Sequence, residues 1–142
     1  MIKRGIVGAA VVLVVGCGAA GGAGEPAIAG ARDEAPKGAA VYDRECAGCH
    51  GAHGEGLSNA PAVMGKEALA LTGSDRGKFV TAQDVFDYVK SEMPLPKKKV
   101  GTLSEQQYWE VTEYLLAASG RKLPDGGLTA DNAASVAVNA DK

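Results

Sequence analysis

"CAGCH", residues Cys46–His50, contains two of the three cysteines of the chain and one of its two histidines. Two cysteines at this C-x-x-C spacing serve three chemistries: a redox dithiol, half of a zinc site, or covalent attachment to the vinyl groups of a haem. A histidine directly after the second cysteine favours haem, because its ring lies on the same helical turn as both sulfur atoms and can reach the iron.

The two other chemistries lack supporting residues in the sequence. A redox dithiol is expected beside a βαβ pattern, and a structural zinc site needs a second pair of ligands. The only other histidine is His53, and the remaining cysteine, Cys17, lies in an unrelated setting. The motif therefore predicts one haem c, held covalently by Cys46 and Cys49, with His50 as an axial iron ligand.

Residues 1–16 are predicted to be a signal peptide. Lys3 and Arg4 precede an uncharged, valine-rich run that is too short and too rich in glycine for a membrane span. The run ends in "VVGC", which resembles the lipobox where bacterial lipoproteins are cut and lipidated on the new N-terminal cysteine. This indicates lipidation of Cys17 and an exported, periplasmic protein anchored to a membrane. Ordinary cleavage after "AIA", residues 27–29, is the alternative and would discard Cys17.

The composition limits the partners and the size of the core. Residues 17–36 are mostly glycine and alanine and predict a flexible tether. Removing residues 1–16 leaves thirteen basic against seventeen acidic residues, a net charge of −4 with neutral histidines. Nucleic acid is therefore not expected as a partner. Only 5% of the residues are aromatic, so a domain of roughly eighty residues would have a thin core unless a bulky apolar group such as haem were added.

The segment around the motif predicts a helix followed by a glycine-rich loop. The helix begins after Pro36 and has "CAGCH" at its C-terminal end. Gly51, Gly54 and Gly56 follow, and they permit backbone angles and a close approach to a flat cofactor that larger residues would resist.

Two further helices are predicted after the loop. "TAQDVFDYVKSEMP" has Thr81 as its N-cap, Asp84 three residues later, and an apolar face of Val85, Phe86 and Val89. "SEQQYWEVTEYLLAA" has Ser104 and Gln107 in capping-box positions. Its apolar stripe consists of Tyr108, Val111, Tyr114, Leu115 and Ala118, and Gly120 ends it. No alternating pattern suggests a sheet, so the domain is predicted to be all-α. Residues 120–142 form a C-terminal extension, with a short helix predicted near Thr129.

The stretch from Lys37 to Ala118 resembles the class I c-type cytochromes. It has their N-terminal helix leading into C-x-x-C-H, a proline-bearing loop, a helix ending at "MP" and an aromatic C-terminal helix. The resemblance implies a small cytochrome c fold over residues 37–119, with helices wrapped around one covalently attached haem. It also implies that Gly38 and Tyr42 lie where the first helix crosses the last, against residues such as Val111 and Tyr114.

The resemblance also implies a bond that orients the proximal histidine. The carbonyl of Pro61, in "NAPAV", is expected to accept the Nδ1 proton of His50, which turns Nε2 toward the iron. No tryptophan lies between the motif and Met93, so the group that hydrogen-bonds the buried propionate differs from that of relatives with one.

The second axial position decides between two classes of function. Met93 is the preferred ligand because "MP" after a helix matches the ligand loop of the family, whereas Met64 is expected to pack on the haem edge. His53 is tied to the proximal side of the haem and is expected to be a solvated loop residue. A His/Met pair favours electron transfer, and an open iron favours gas binding or peroxide chemistry.

The expected protein is a monohaem electron carrier and not an enzyme. Its last two helices resemble small cytochrome modules that accept electrons from periplasmic dehydrogenases, so a dehydrogenase-type donor and a respiratory acceptor are the expected partners. The alternative is a haem-based gas sensor or small peroxidase with a labile methionine. Lys97, Lys98 and Lys99 follow the methionine loop and predict either a docking patch or a solvated charged run.

Lipidation of Cys17 can be tested directly. We expect the wild-type protein to partition with membranes and to incorporate a fatty-acid analogue, and Cys17→Ser to block both this labelling and normal processing. A wild type that carries no label and is cut downstream of Cys17 would show that the segment is an ordinary signal peptide.

Overall fold

The computed structural model describes residues 25–65, 68–69 and 79–138. Within these ranges the chain is helical and forms no strand, and its only β contacts are two isolated bridges, Leu57 with Ala60 and Thr81 with Ala137. The helices are α1 (Glu25–Glu34), α2 (Pro36–Glu45), α3 (Ala47–His50), α4 (Ala82–Glu92) and α5 (Glu105–Ala118), with 3₁₀ turns at Lys97–Lys99 and Ala133–Ser135. The all-α prediction is confirmed.

The tether prediction is wrong for residues 25–34, which form helix α1. Its Ile28 and Ala31, together with Ala35 after it, are buried in the cluster that α2 and α5 also form. Arg32 donates two hydrogen bonds to the Asp43 carboxylate, at 2.9 and 2.8 Å, and lies over the Tyr114 ring. The hydrogen bonding from Arg32 lowers the pKa of the Asp43 carboxyl. Alanine and glycine carry little apolar signal, so only packing against the rest of the domain makes this helix stable.

Helix α2 crosses α5 at very short range. A Cβ atom on Gly38 would overlap the carbonyl oxygen of Glu110 and come within 2.7 Å of the Cβ of Tyr114. One turn along α2, the rings of Tyr42 and Tyr114 have centroids 5.7 Å apart, and Val111 is fully buried in the same cluster. The crossing that the sequence resemblance implied is therefore present.

The N-terminal caps of α4 and α5 are those that the sequence predicts. Thr81 accepts the Asp84 amide while the Asp84 carboxylate accepts the Thr81 amide, and Ser104 and Gln107 make the same reciprocal pair. Both are capping boxes, which satisfy backbone donors that the first helical turn leaves unpaired.

Helix α5 is buried on two sides and so separates two apolar clusters. The predicted stripe is buried, as are Trp109, Thr112, Leu116 and Ala117, which that stripe did not include. The first cluster contains α1 and α2, and the second contains α4 and the C-terminal tail.

The C-terminal extension packs onto the domain as far as residue 138. The amide of Ala82 donates to the carbonyl of Val136, and the amide of Val138 donates to that of Val80, both at 2.8 Å. Ala133 and Val138 are fully buried. In place of a helix, the region after Thr129 forms a turn and then the 3₁₀ turn Ala133–Ser135.

The predicted signal peptide, Cys17 and the first part of the tether lie outside the described residues. Among the helices that the structure describes, none has the length and apolar character needed to cross a membrane.

Gly38→Ala should destabilise the domain because the added methyl group meets the α5 backbone, which cannot move independently. We expect a loss of about 1–3 kcal/mol in the free energy of unfolding, measured by denaturant titration of the haem-loaded protein. Gly30→Ala is the matched control, since it also lies within a helix but its Cβ would meet nothing within 4 Å. That control should gain about 0.5–1 kcal/mol. Equal stability of the two variants would contradict the tight crossing.

Candidate functional site

A cavity of about 710 Å³ lies between the motif, the proline loop, α4 and the segment that follows α4. This volume is in the range of cofactor sites, which are generally apolar with a few polar groups. The motif supplies Cys46, Cys49 and His50. The remaining described lining is mostly apolar, with a floor on α5, and comprises Tyr42, Glu45, Asn59, Ala60, Pro61, Ala62, Val63, Ala68, Leu69, Phe79, Val85, Tyr88, Val89, Met93, Pro94, Leu95, Pro96, Lys97, Val111 and Leu115.

The motif folds into a single helical turn that presents its three functional side chains to this cavity. The amides of Cys49 and His50 both donate to the carbonyl of Cys46, at 3.1 and 3.0 Å. Cys46 and Cys49 form no disulfide with each other. Two sulfur atoms and one imidazole on adjacent positions of one cavity wall suit two thioether bonds and one axial bond to the same cofactor.

The environment of the motif does not suit the two other chemistries. Burial raises the pKa of the Cys46 thiol to about 12, whereas a reactive dithiol needs a lowered pKa. Among the residues that the structure describes, no three or more His, Cys, Asp or Glu side chains group to hold a metal ion as a zinc site requires.

Pro61 fixes the orientation of the proximal histidine ring. The Nδ1 atom of His50 lies 2.8 Å from the carbonyl oxygen of Pro61, the contact that the resemblance implied. Because a carbonyl can only accept, the proton of the neutral ring is on Nδ1, and Nε2 keeps the lone pair that a metal ion requires.

The glycine loop keeps its shape through contacts within the protein. Gly51, Gly54 and Gly56 all have positive φ, which agrees with the prediction that they adopt backbone angles unfavourable for larger residues. A Cβ on Gly54 would lie 2.5 Å from Cγ of Met64, and one on Gly56 would lie 2.5 Å from the amide nitrogen of Ala62. None of the three glycines is among the residues that line the cavity. The backbone approaches neighbouring protein atoms instead.

Tyr42 connects the exit of the motif to α2. Its hydroxyl donates to the carbonyl of Gly51 at 2.8 Å, and its ring lines the cavity. Burial raises the pKa of Tyr42, so the hydroxyl stays protonated and remains a donor.

The predicted apolar face of α4 divides between two sites. Val85 and Val89 line the cavity, while Phe86 turns away and stacks on Trp109 with ring centroids 3.6 Å apart. Tyr88 also lines the cavity, although it was not among the residues predicted for this face. Its position three residues after Val85 places it on the same side of the helix, which could have indicated this role.

The three candidates for the second axial position lie in different places. Met93 lines the cavity from the end of α4, and it is the only methionine among the described lining residues. Met64 is 6% exposed and packs in the first apolar cluster outside the cavity lining, so its predicted place on the haem edge is not supported. His53 is exposed and also lies outside the lining.

Charged and apolar side chains lie beside the cavity where the segment that follows Met93 meets α2. Lys97, Lys98 and Lys99 are exposed on one 3₁₀ turn, and Lys97 contributes to the lining. Lys99 forms an ion pair with Glu45 at 3.3 Å. Leu95 also lines the cavity and is 56% exposed.

The residues present thus fit a covalently attached haem. Cys46 and Cys49 would hold its periphery, His50 would supply an iron ligand with the correct tautomer, and the apolar lining would cover its faces. The cofactor supplies a one-electron couple whose potential depends on the axial ligands and on burial.

Comparison with known proteins agrees with this site. The profile of the cytochrome c family, described as "Cytochrome c", matches residues 35–119. A search of curated proteins found no match. Among solved structures, the chain is similar to one from the sulfane dehydrogenase SoxCD of Paracoccus pantotrophus, with 28% identity and a TM-score of 0.58. The similarity covers 74% of this chain and 53% of the other, so this protein spans about half the length of that chain.

The match over residues 35–119 shows that the chain belongs to the cytochrome c family. Membership, together with the C-x-x-C pair, makes the cofactor a covalently bound haem c and the general function electron transfer. The match also begins at Ala35, one residue before α2, and therefore leaves α1 and the C-terminal tail outside the family domain.

Proposed function

We propose that this cytochrome is an exported carrier that passes single electrons from a dehydrogenase-type donor to a respiratory acceptor, with His50 and Met93 as axial ligands. The observation that carries the proposal is that His50 and Met93 line one cavity from two separate segments, while Met64 and His53 do not line it. A thioether ligand opposite histidine raises the reduction potential, which suits acceptance of electrons from a dehydrogenase.

The similarity to the SoxCD chain supports a dehydrogenase as the donor. That solved protein is a sulfane dehydrogenase, and the shared region covers most of this chain. A cytochrome similar to part of a dehydrogenase is well suited to receive electrons from one, either within a complex or after diffusion.

The lining of the cavity favours a carrier over the alternative of a gas sensor or peroxidase. Among the described lining residues, His50 is the sole histidine, and no arginine is present. Peroxide chemistry needs a second group to move protons on the open side of the iron, and histidine is the residue used most often.

Export and membrane attachment form the remaining part of the proposal. They are supported by the signal-like sequence before Cys17 and by the covalent cofactor, which stays with the protein after secretion. Residues 25–34 are folded as α1, so that part of the predicted tether is not a flexible linker.

Met93→Ala should open the sixth coordination position. We expect carbon monoxide to bind the ferrous variant readily and its reduction potential to fall, because the thioether no longer competes or stabilises the reduced iron. The measurements are an absorption spectrum with and without the gas and a redox titration.

Met64→Leu is the matched control, since it also replaces a thioether but keeps the buried volume. Its spectrum and potential should remain close to those of the wild type. The reverse pattern would assign the ligand to Met64, and a wild type that binds the gas readily would favour the sensor alternative.

Lys97, Lys98 and Lys99, which follow Met93 in the chain, would steer a partner toward the cavity. Lys97 and Lys98 are exposed and form no ion pair with the other described residues, whereas the charge of Lys99 is partly neutralised by Glu45. A local positive patch on a mildly acidic protein raises the encounter rate with a partner that carries an acidic rim, and salt screens this effect.

Replacing Lys97 and Lys98 with glutamine should slow electron transfer with the partner at low salt and flatten its dependence on ionic strength. The haem spectrum should not change. Lys37→Gln with Lys122→Gln is the matched control, because it removes the same charge from exposed positions that do not line the cavity. Stopped-flow rates across ionic strength compare the pairs. Equal slopes for both pairs would show that only net charge matters.

A further inference from the structure

One tyrosine hydroxyl holds both ends of the loop that begins with Met93. Tyr108 donates to the carbonyl oxygen of Met93 at 3.1 Å and accepts the amide of Gly101 at 2.9 Å. A phenolic hydroxyl has one proton to donate and lone pairs to accept, so these two bonds use both capacities. The segment between its two partners includes Pro94, Leu95 and Lys97, which line the cavity with Met93.

Tyr108 itself is buried in the core of the domain. It is 1% exposed and lies in the first turn of α5, directly after the Ser104–Gln107 capping box. The ring of Phe86 meets it edge to face, with centroids 6.5 Å apart. Tyr108 does not line the cavity, so it can act on the site only through the backbone of the loop.

Ion pairs also join the loop and its flanks to neighbouring helices, such as Lys90 with Glu105 at 3.0 Å, but they are weaker connections. The ion pair between Lys99 and Glu45 has side chains 49% and 17% exposed, and exposed ion pairs contribute little because water and salt screen them. Before Met93, the last amide bond of α4 joins Met93 to the carbonyl of Val89 at 3.0 Å. Beyond that point, the Tyr108 hydroxyl is the buried group that ties the backbone of Met93 to α5.

We propose that Tyr108 is a positioning residue that keeps the Met93 side chain on the iron by closing the Met93–Gly101 loop onto α5. This inference rests on the proposed role of Met93 as the axial ligand. Removing the hydroxyl leaves the Met93 carbonyl and the Gly101 amide without their partner, and this penalty is present only while the loop is closed. The equilibrium therefore shifts toward a loop that releases the methionine.

The test uses the haem-loaded protein and imidazole, a small ligand that competes with methionine for the sixth position of ferric iron. In Tyr108→Phe the apparent Kd for imidazole should fall by about thirtyfold, the factor that corresponds to the loss of two hydrogen bonds of typical net strength. Hydrogen exchange at the Gly101 amide should accelerate by a similar factor, and this readout does not involve the cofactor.

Tyr114→Phe is the matched control. It removes the same atom from another buried tyrosine of α5, but the Tyr114 hydroxyl has no hydrogen-bond partner among the described residues and its side chain does not line the cavity. Its imidazole Kd and the Gly101 exchange rate should equal those of the wild type. Met93→Ala gives the limit of free access, with the lowest Kd of the set.

The results distinguish a failure of the positioning role of Tyr108 from a failure of Met93 as the axial ligand. If Met93→Ala binds imidazole tightly and Tyr108→Phe behaves like the wild type, the positioning role of Tyr108 is overturned and the ligand assignment stands. A Kd that falls equally in Tyr114→Phe also overturns it, because the effect would then come from general loosening. If Met93→Ala binds no more tightly than the wild type, Met93 is not the ligand, and the inference fails with that assignment.

Discussion

The close crossing of α2 over α5 at Gly38 is the constraint on which the site depends. It brings Tyr42 against Tyr114, and Tyr42 in turn bonds the Gly51 carbonyl at the exit of the haem motif. The same α5 supplies Tyr108, whose hydroxyl bonds the Met93 backbone. Both walls that carry iron ligands in the proposed arrangement are therefore attached to the same helix, α5.

The parts of the fold that the sequence predicted correctly are those whose causes are local. Capping boxes at Thr81 and Ser104 involve residues three positions apart, and such signals can be recognised without tertiary information. Helix α1 could not be found in this way. Its buried residues are small, and its stability comes from packing on α5, which is distant in sequence. The packing of the C-terminal tail against α4 could not be predicted from the sequence for the same reason.

The candidate site shows the same division between local chemistry and long-range packing. The motif identified Cys46, Cys49 and His50 because the chemistry of all three is contained within one helical turn. The family resemblance supplied the contact between His50 and Pro61, eleven residues apart, which no local rule predicts. Helical periodicity predicted the apolar face of Val85, Phe86 and Val89, but it could not tell which of them lines the cavity and which packs on Trp109.

The unexpected helix also changes what membrane attachment would mean for the carrier. A tether over residues 17–36 would span about 65 Å when fully extended, but ten of those residues form α1, which is about 15 Å long. A shorter tether raises the effective concentration of the domain near the membrane and restricts the partners it can meet. None of the described α1 residues lines the cavity. A lipid-anchored form would thus exchange electrons most efficiently with partners held at the same membrane surface.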